Sequence, residues 1–338
     1  MTPQMIPKTM RAAVITRFGG PEVLEVQERP VPAPSANEIL VRVHASALNR
    51  ADIHQREGNY PAPKGAPADI PGLEFAGEVA GMGASVTNCS VGHRVFGIVP
   101  GGGNAQYLTT DARAVAPIPP SLDWEEAAAV PEAFMTAHDA LITQAGALPN
   151  EYVLIHAVGS GVGLAATQLA RAWKAVPIGT ARGAEKIERA REHGLMHGIV
   201  VGDDVDAIVP RIEQITEKHG ADITLDLLGG AYVGASIRAS APRARLMLIG
   251  TVAGRTSSIP TGVVLGKRLT IRGTVLRARS IEEKRVVTDA FTRDVVPRLA
   301  SGELQPTVDS IFSLDRIGEA HERMASNRSC GKIVLRID

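Results

Sequence analysis

The chain has 338 residues, 44% of them hydrophobic, and its 36 basic side chains are matched by 36 acidic ones. That length allows about two domains, and the charge balance leaves no footprint for nucleic acid or an anionic membrane, so small-molecule chemistry is expected. Two scattered cysteines, Cys89 and Cys330, suit neither a disulfide framework nor a metal cluster; with no apolar segment of leader length in Met1–Met10 and no run of ~18 apolar residues anywhere, the expectation is a cytoplasmic protein without a membrane span.

Residues 1–130 read as strands and loops rich in Pro and Gly. Glu38 to Ala47 alternates, with Ile39, Val41 and Val43 on one side, which predicts a half-buried strand. Glu78–Ala80 and His93–Phe96 are further short strands, and Pro100-Gly-Gly-Gly103 breaks the regular structure. After Ser121 the texture changes. Leu122–Leu141, rich in Ala and acidic residues, reads as helical. A strand–helix rhythm follows: strand Tyr152–His156, helix Gly163–Trp173, strand Val176–Thr180, helix Glu185–His193 closed by Gly194, strand Ile199–Val201, and helix Val209–His219 closed by Gly220. Strands at Ile223–Leu228, Leu246–Ile249 and Leu269–Arg272 complete it. The alternation predicts an α/β fold with a doubly wound parallel sheet. Beyond Ser280 come two helical stretches and a closing strand, Lys332–Arg336.

The segment Tyr152-Val-Leu-Ile-His-Ala-Val-Gly-Ser-Gly-Val-Gly163 runs from strand through a small-residue turn into a helix. Small residues let a backbone approach a pyrophosphate, and the free N–H groups and positive dipole at the helix start can hold it. Gly161, Val162 and Gly163 are therefore candidate dinucleotide contacts. At the end of the next strand, where NAD enzymes commonly place a carboxylate about 20 residues beyond the glycines, stand Gly179-Thr180-Ala181-Arg182, with Lys186 one turn on. Two cations without a carboxylate favour the 2′-phosphate of NADPH, with Thr180, Arg182 and Lys186 as its candidate ligands.

Several motifs together resemble the medium-chain dehydrogenase/reductase superfamily. They are Ala47-Leu-Asn-Arg-Ala-Asp52, Gln55-Arg-Glu-Gly-Asn-Tyr60, Pro71-Gly-Leu-Glu-Phe-Ala-Gly77, Pro100-Gly-Gly-Gly-Asn-Ala-Gln-Tyr107, Val130-Pro-Glu-Ala-Phe-Met-Thr136, the turn around Ser160, and Gly331-Lys-Ile-Val-Leu335. Within it the chain resembles the zinc-independent quinone oxidoreductases, closest to the p53-inducible branch. The resemblance implies a GroES-like, mostly-β catalytic domain over 1–130, to which 278–338 return, and a Rossmann NADP(H)-binding domain over 131–277. It also implies a homodimer extended through the strand near Leu269–Arg272. Zinc members carry Cys where Asn49 stands and His where Leu73 stands; neither side chain here replaces those ligands, so no metal is expected. Val158 stands where the branch has the first glycine of the turn. Val201 stands where it has a tyrosine near the adenine, and Arg182 where it has a smaller residue.

The resemblance places Tyr60 and Asn49 near the nicotinamide. A quinone needs mainly to be stacked and to have its developing oxyanion stabilised. Tyr60 offers a phenolic hydroxyl and a ring, Asn49 an amide donor. Further coenzyme residues implied by the resemblance or by strand-end position are Thr136, Ser160, Gly229, Gly250, Thr251, Leu276, Arg277, Asn327 and Lys332. Asp52 and Glu74 read as structural carboxylates. The expected function is NADPH-dependent, metal-free reduction of a quinone. Reduction of an enone or alkenal, or a non-catalytic NADPH-binding structural or RNA-binding role, are the alternatives.

Overall fold

The computed structural model describes residues 6–337. They fall into two compact units: residues up to Met135 together with those from Leu276 onward, and Thr136–Val275.

The first unit is mostly β. In chain order it holds β1 (Thr9–Ile15), β2 (Leu24–Pro30), β3 (Glu38–Ala47), α1 (Arg50–Arg56), β4 (Glu74–Met82), β5 (Arg94–Ile98), β6 (Tyr107–Asp111), β7 (Val115–Pro117), α2 (Trp124–Ala128) and the start of α3 (Pro131–His138). Strands β1 and β2 form an antiparallel pair. A seven-stranded sheet has β3 and β4 at its centre, and β6 also pairs with β3. Ile39, Val41 and Val43 pack into one apolar cluster with Phe75 and Ile333. The expected polar face of this strand is not polar throughout: Leu40 enters a second cluster with Met10 and Val14. Met10 and Val14 belong to β1, which packs on that second face and covers it.

The second unit alternates as expected: β8 (Tyr152–Ile155), α4 (Gly161–Ala172), β9 (Val176–Ala181), α5 (Ala184–Glu192), β10 (His197–Val200), α6 (Ile208–Ile215), β11 (Ala221–Asp226), α7 (Ala231–Ala239), β12 (Ser240–Leu248), α8 (Thr261–Lys267) and β13 (Thr270–Gly273). The six strands are parallel in the order β10-β9-β8-β11-β12-β13. The order reverses beside β8, which is the switch point where open α/β sheets bind ligands. One helical reading needs correction. Helix α6 ends at Ile215, not His219, because Glu217 and Lys218 take φ of 50° and 70°. Gly220 closes that turn beside the Ser240–Ala241 backbone, where a Cβ would lie 2.6 Å from the Ala241 nitrogen. The stretch Leu122–Leu141 is divided into α2, α3 and a π-helical segment Asp139–Gln144.

The chain then returns to the first unit through α9 (Ile281–Asp294), α10 (Val296–Ala300), β14 (Val308–Ser313), α11 (Ile317–Ala325) and β15 (Lys332–Arg336). Strand β15 lies between β14 and β3, parallel to the first and antiparallel to the second. This brings the last residues of the chain against the Leu48–Asn49 corner.

Candidate active site and coenzyme turn

In the first unit the sequence surrounds Asn49 with charge. Asn49 precedes α1, and its backbone N–H donates to Asp52 Oδ2 at 2.7 Å, while Asp52 Oδ1 accepts from the Gly72 N–H at 3.0 Å. Asp52 is fully buried, and burial outweighs these bonds, raising its carboxyl to about 6. Glu74, also fully buried, accepts from Asn49 Nδ2 at 2.8 Å and from the Glu132 backbone N–H at 2.8 Å. The ammonium of Lys332 lies 2.6 Å from Glu74 Oε1, 2.6 Å from Asn49 Oδ1 and 2.9 Å from the Leu48 carbonyl.

This arrangement corrects two expectations. Lys332 was expected at the coenzyme, but its three donors meet three acceptors inside the first unit. Asn49 was expected to offer an amide to the acceptor. Its Nδ2 instead donates to Glu74 and, at 3.3 Å, to the Ala47 carbonyl. Asn49 bridges a buried ion pair and has no amide proton left for an oxyanion.

Tyr60 lies in the loop after α1, which Gly58 turns with φ of 78°. Its backbone N–H donates to the His54 carbonyl at 3.1 Å. The side chain is half-buried, and burial raises its phenol, with Arg277 opposing the rise and Glu132 adding to it. Arg277, expected at the coenzyme, is committed here instead. It donates to the carbonyls of Pro100 (2.8 Å) and Tyr60 (3.2 Å) and to Gln55 Oε1 (2.5 Å), with its guanidinium 4.8 Å from the Tyr60 ring centroid. Leu276, likewise expected at the coenzyme, is buried and lines a small apolar cavity with Ile98, Met135, Val287 and the stem of Lys284. Asn327 takes a left-handed φ of 56° and accepts from Arg50 at 2.7 Å. Glu132, Gln55 and Lys284 were not singled out from sequence. Glu132 and Gln55 do lie inside the quoted motifs, so a search for polar residues there would have reached them.

In the second unit, Ser160 caps α4, its Oγ accepting from the Gly163 N–H at 3.1 Å. The N–H groups of Gly161 and Val162 have no acceptor among the described residues. Gly163 is required by contact: a Cβ there would lie 2.6 Å from the Ala157 carbonyl oxygen and 2.7 Å from that of Val158. Val158 is fully buried and packs over Gly179, whose own Cβ would meet it at 2.7 Å, so the variant turn is filled by a side chain matched to a second glycine. Ala157 takes φ of 51° to allow this.

The chain positions the turn's surroundings unevenly. Thr180 was expected at the 2′-phosphate, but it is 1% exposed and its Oγ1 lies 2.9 Å from His156 Nδ1. His156 Nε2 is 2.8 Å from Ser236 Oγ, and burial holds the ring below its usual pKa. Arg182 is exposed and forms no hydrogen bond or ion pair among the described residues; Lys186 lays its stem over Gly159. Glu185, not singled out from sequence, folds its carboxylate back onto Gly183 at the start of α5, adding a negative charge beside the two cations. Gly229 and Gly230 adopt φ of 67° and 57°, and Asp226 Oδ1 holds the N–H groups of Leu228 and Gly229, both at 2.8 Å. Gly250 approaches the Leu227 carbonyl too closely for a Cβ, and Thr251 beside it is exposed. Thr136 is 8% exposed, and its buried Oγ1 has no partner among the described residues.

A nicotinamide dinucleotide fits these residues. The Gly161 and Val162 N–H groups suit a pyrophosphate, and the orphaned Thr136 hydroxyl is a buried donor awaiting an acceptor. Among the described residues, no group of His, Cys, Asp or Glu is arranged to hold a metal ion. A doubly wound sheet with a receptive turn at its switch point, joined in one chain to a mostly-β unit carrying Tyr60, defines the class as a nicotinamide-dependent oxidoreductase.

Comparison with known proteins narrows the class. Residues 35–120 match the alcohol dehydrogenase GroES-like domain and residues 161–292 the zinc-binding dehydrogenase family. A quinone oxidoreductase of Lama guanicoe is 30% identical, over 97% of this chain and 98% of its own. One from Pseudomonas aeruginosa is also 30% identical, over 94% and 97%. The solved quinone oxidoreductase of Pseudomonas syringae pv. Tomato DC3000 superposes with a TM-score of 0.87 at 26% identity, over 97% of this chain and 99% of that one. The chain belongs to the medium-chain dehydrogenase/reductase superfamily, with quinone oxidoreductases among its relatives, and consists of a GroES-like and a Rossmann-type domain.

Proposed function

We propose that the protein is an NADPH-dependent quinone oxidoreductase that works without a metal. The observation that carries this reading is the Tyr60 ring, held half-buried against the Arg277 guanidinium while the polar groups of Asn49, Glu74 and Lys332 are engaged with one another. What Tyr60 offers an acceptor is an aromatic surface and a phenol kept protonated by burial. Such a surface suits a flat, readily reduced ring that has to be stacked and have its oxyanion stabilised. Lys332 neutralises Glu74, so a buried negative charge does not oppose the negative charge growing on the acceptor.

The coenzyme, when bound, supplies the hydride. The Gly161 and Val162 N–H groups would hold its pyrophosphate, and Thr136 would donate to its nicotinamide end. Arg182, exposed and uncommitted, would take the 2′-phosphate. The same reading makes the protein a cytoplasmic homodimer paired through β13. Among the described residues that strand has a neighbour on one side only; light scattering should then return twice the chain mass.

The test is NADPH oxidation measured side by side with benzoquinones, naphthoquinones and enones. Quinones should be reduced most efficiently. Preferential turnover of enones would replace the proposed substrate class, and tight NADPH binding without turnover of any acceptor would refute the enzyme reading. Arg182→Ala should weaken NADPH binding roughly ten- to a hundredfold and leave NADH binding unchanged, since one charge-assisted hydrogen bond contributes roughly 1.5–3 kcal/mol. Equal losses for both coenzymes would remove Arg182 from the phosphate site.

A further inference from the structure

Glu132 stands apart from the other carboxylates around Tyr60. It is the second residue of α3, and its backbone is pinned by the 2.8 Å bond to Glu74 Oε2. Asp52 is occupied with the N–H groups of Asn49 and Gly72, and Glu74 with Asn49, Lys332 and the Glu132 backbone. The half-buried side-chain carboxyl of Glu132 forms no hydrogen bond or ion pair among the described residues. Charged groups face it from every side of the cluster: Glu74 on β4, Lys332 on β15, Asp52 on α1 and Arg277 ahead of α9. Its own charge is felt at Tyr60 and at Lys284 on α9. Lys332 and Arg277 are committed elsewhere, and the Lys284 ammonium is itself disfavoured by burial and by Arg277. No cation pairs with Glu132 among the described residues, and the pull of Lys332 and Arg277 toward the ionised form is outweighed by burial and the Glu74 charge.

We infer that Glu132 is the acid that protonates the reduced acceptor beside Tyr60. The inference rests on the reductase reading above. A quinone that accepts hydride from a dihydronicotinamide gains two electrons and one hydrogen and becomes a hydroquinone monoanion. The O–H bond of Glu132 then breaks, its proton forms the second hydroquinone O–H, and the carboxylate remains. Water restores the proton, because the residue is not fully buried. For an enone the same proton completes the enolate left after hydride addition. Burial, followed by the neighbouring Glu74 charge, raises the carboxyl to about 8, so the proton is present at neutral pH. A catalytic acid is most effective with a pKa near the working pH.

Two measurements test this. In the coenzyme-free protein, the infrared band of a protonated carboxyl should disappear with a midpoint near pH 8 and be missing from Glu132→Gln; ionisation of Glu132 well below neutrality would overturn the proposal. In turnover, kcat/KM of the wild type should fall tenfold per pH unit above about 8. Glu132→Gln should lose at least tenfold at pH 7 and show no break near 8, with NADPH affinity by fluorescence titration within twofold. Glu132→Asp should restore part of the rate and a break in the profile, which a merely structural role would not give. Wild-type turnover with an unchanged rate and pH profile in Glu132→Gln would overturn the acid and leave the reductase reading intact. Failure of the wild type to reduce any acceptor would overturn both.

Discussion

The guanidinium of Arg277 covers one side of the Tyr60 ring at 4.8 Å from its centroid and holds the Tyr60 carbonyl at 3.2 Å. One cation thereby fixes both the backbone and the ring of the residue that offers the acceptor its aromatic surface. It reaches that place by also tying Pro100 and Gln55. Arg277→Ala removes all of these at once. We expect KM for quinones to rise at least tenfold while kcat falls less, because stacking is lost before chemistry is. Stability should drop by about 2–3 kcal/mol, from buried acceptors left without a donor. Urea denaturation and steady-state kinetics on one preparation check both; a KM within twofold of wild type would mean Tyr60 is positioned without its guanidinium.

Lys332→Met should be the most destabilising single change in the first unit. It leaves Glu74 charged, 0% exposed and without its ammonium. Removing one partner of a buried pair costs about 3–5 kcal/mol. Lys332→Met with Glu74→Gln together should recover much of the loss, and a double variant no more stable than the single one would show that the pair is not the source.

The carboxyls of Asp52 and Glu132 are raised to about 6 and about 8 in the folded chain, above their unfolded values near 4. The folded state therefore holds these protons more tightly than the unfolded state does. Their contribution to stability is complete below about pH 4 and is lost as pH rises through 6 and then 8. Chemical denaturation should show a stability that declines from about pH 4, more steeply up to 6 and less steeply from 6 to 8, and then levels off, with the 6–8 part of the decline absent in Glu132→Gln. A wild-type curve flat over that range would contradict the assigned protonation.

Thr136→Val replaces a buried, unpartnered hydroxyl with a methyl group of the same shape. An unsatisfied buried hydroxyl costs about 1–3 kcal/mol, so the variant should be more stable than the wild type when coenzyme-free. It should bind NADPH several-fold more weakly, having lost the donor that the coenzyme would use. Thermal melts with and without NADPH separate the two effects; unchanged affinity would leave the hydroxyl without a ligand.

The second unit was legible because its signals are local. A strand, a small-residue turn and a helix are adjacent in sequence, and hydrophobic period and glycine spacing report them directly, down to the β8–α4 turn. What failed there failed at contacts the period does not encode: Thr180 turns toward His156, 24 positions away, and Glu185 folds onto Gly183. The first unit's site was harder to read. Glu132 and Glu74 are 58 residues apart, and Lys332 and Asn49 are 283 apart. The resemblance and strand-end position marked Asn49, Arg277 and Lys332 as polar groups available for a ligand. Only the closed register of β15 against β3 reveals that Asn49 and Lys332 bind one another, while Arg277 turns to Pro100, Tyr60 and Gln55.

That closure has a consequence for how the chain is made. Glu74 emerges from the ribosome long before the ammonium that neutralises it. At about 5–20 residues per second, Lys332 follows roughly 10–50 s later. The segment Thr136–Val275 is contiguous and contains all six strands of its sheet, so it has the means to fold during this interval. The first unit waits for β15, which carries Lys332. A nascent or prematurely ended chain is therefore a completed nucleotide-binding fold attached to an unfinished half, and quality control in the cell would meet the defect in the part synthesised first.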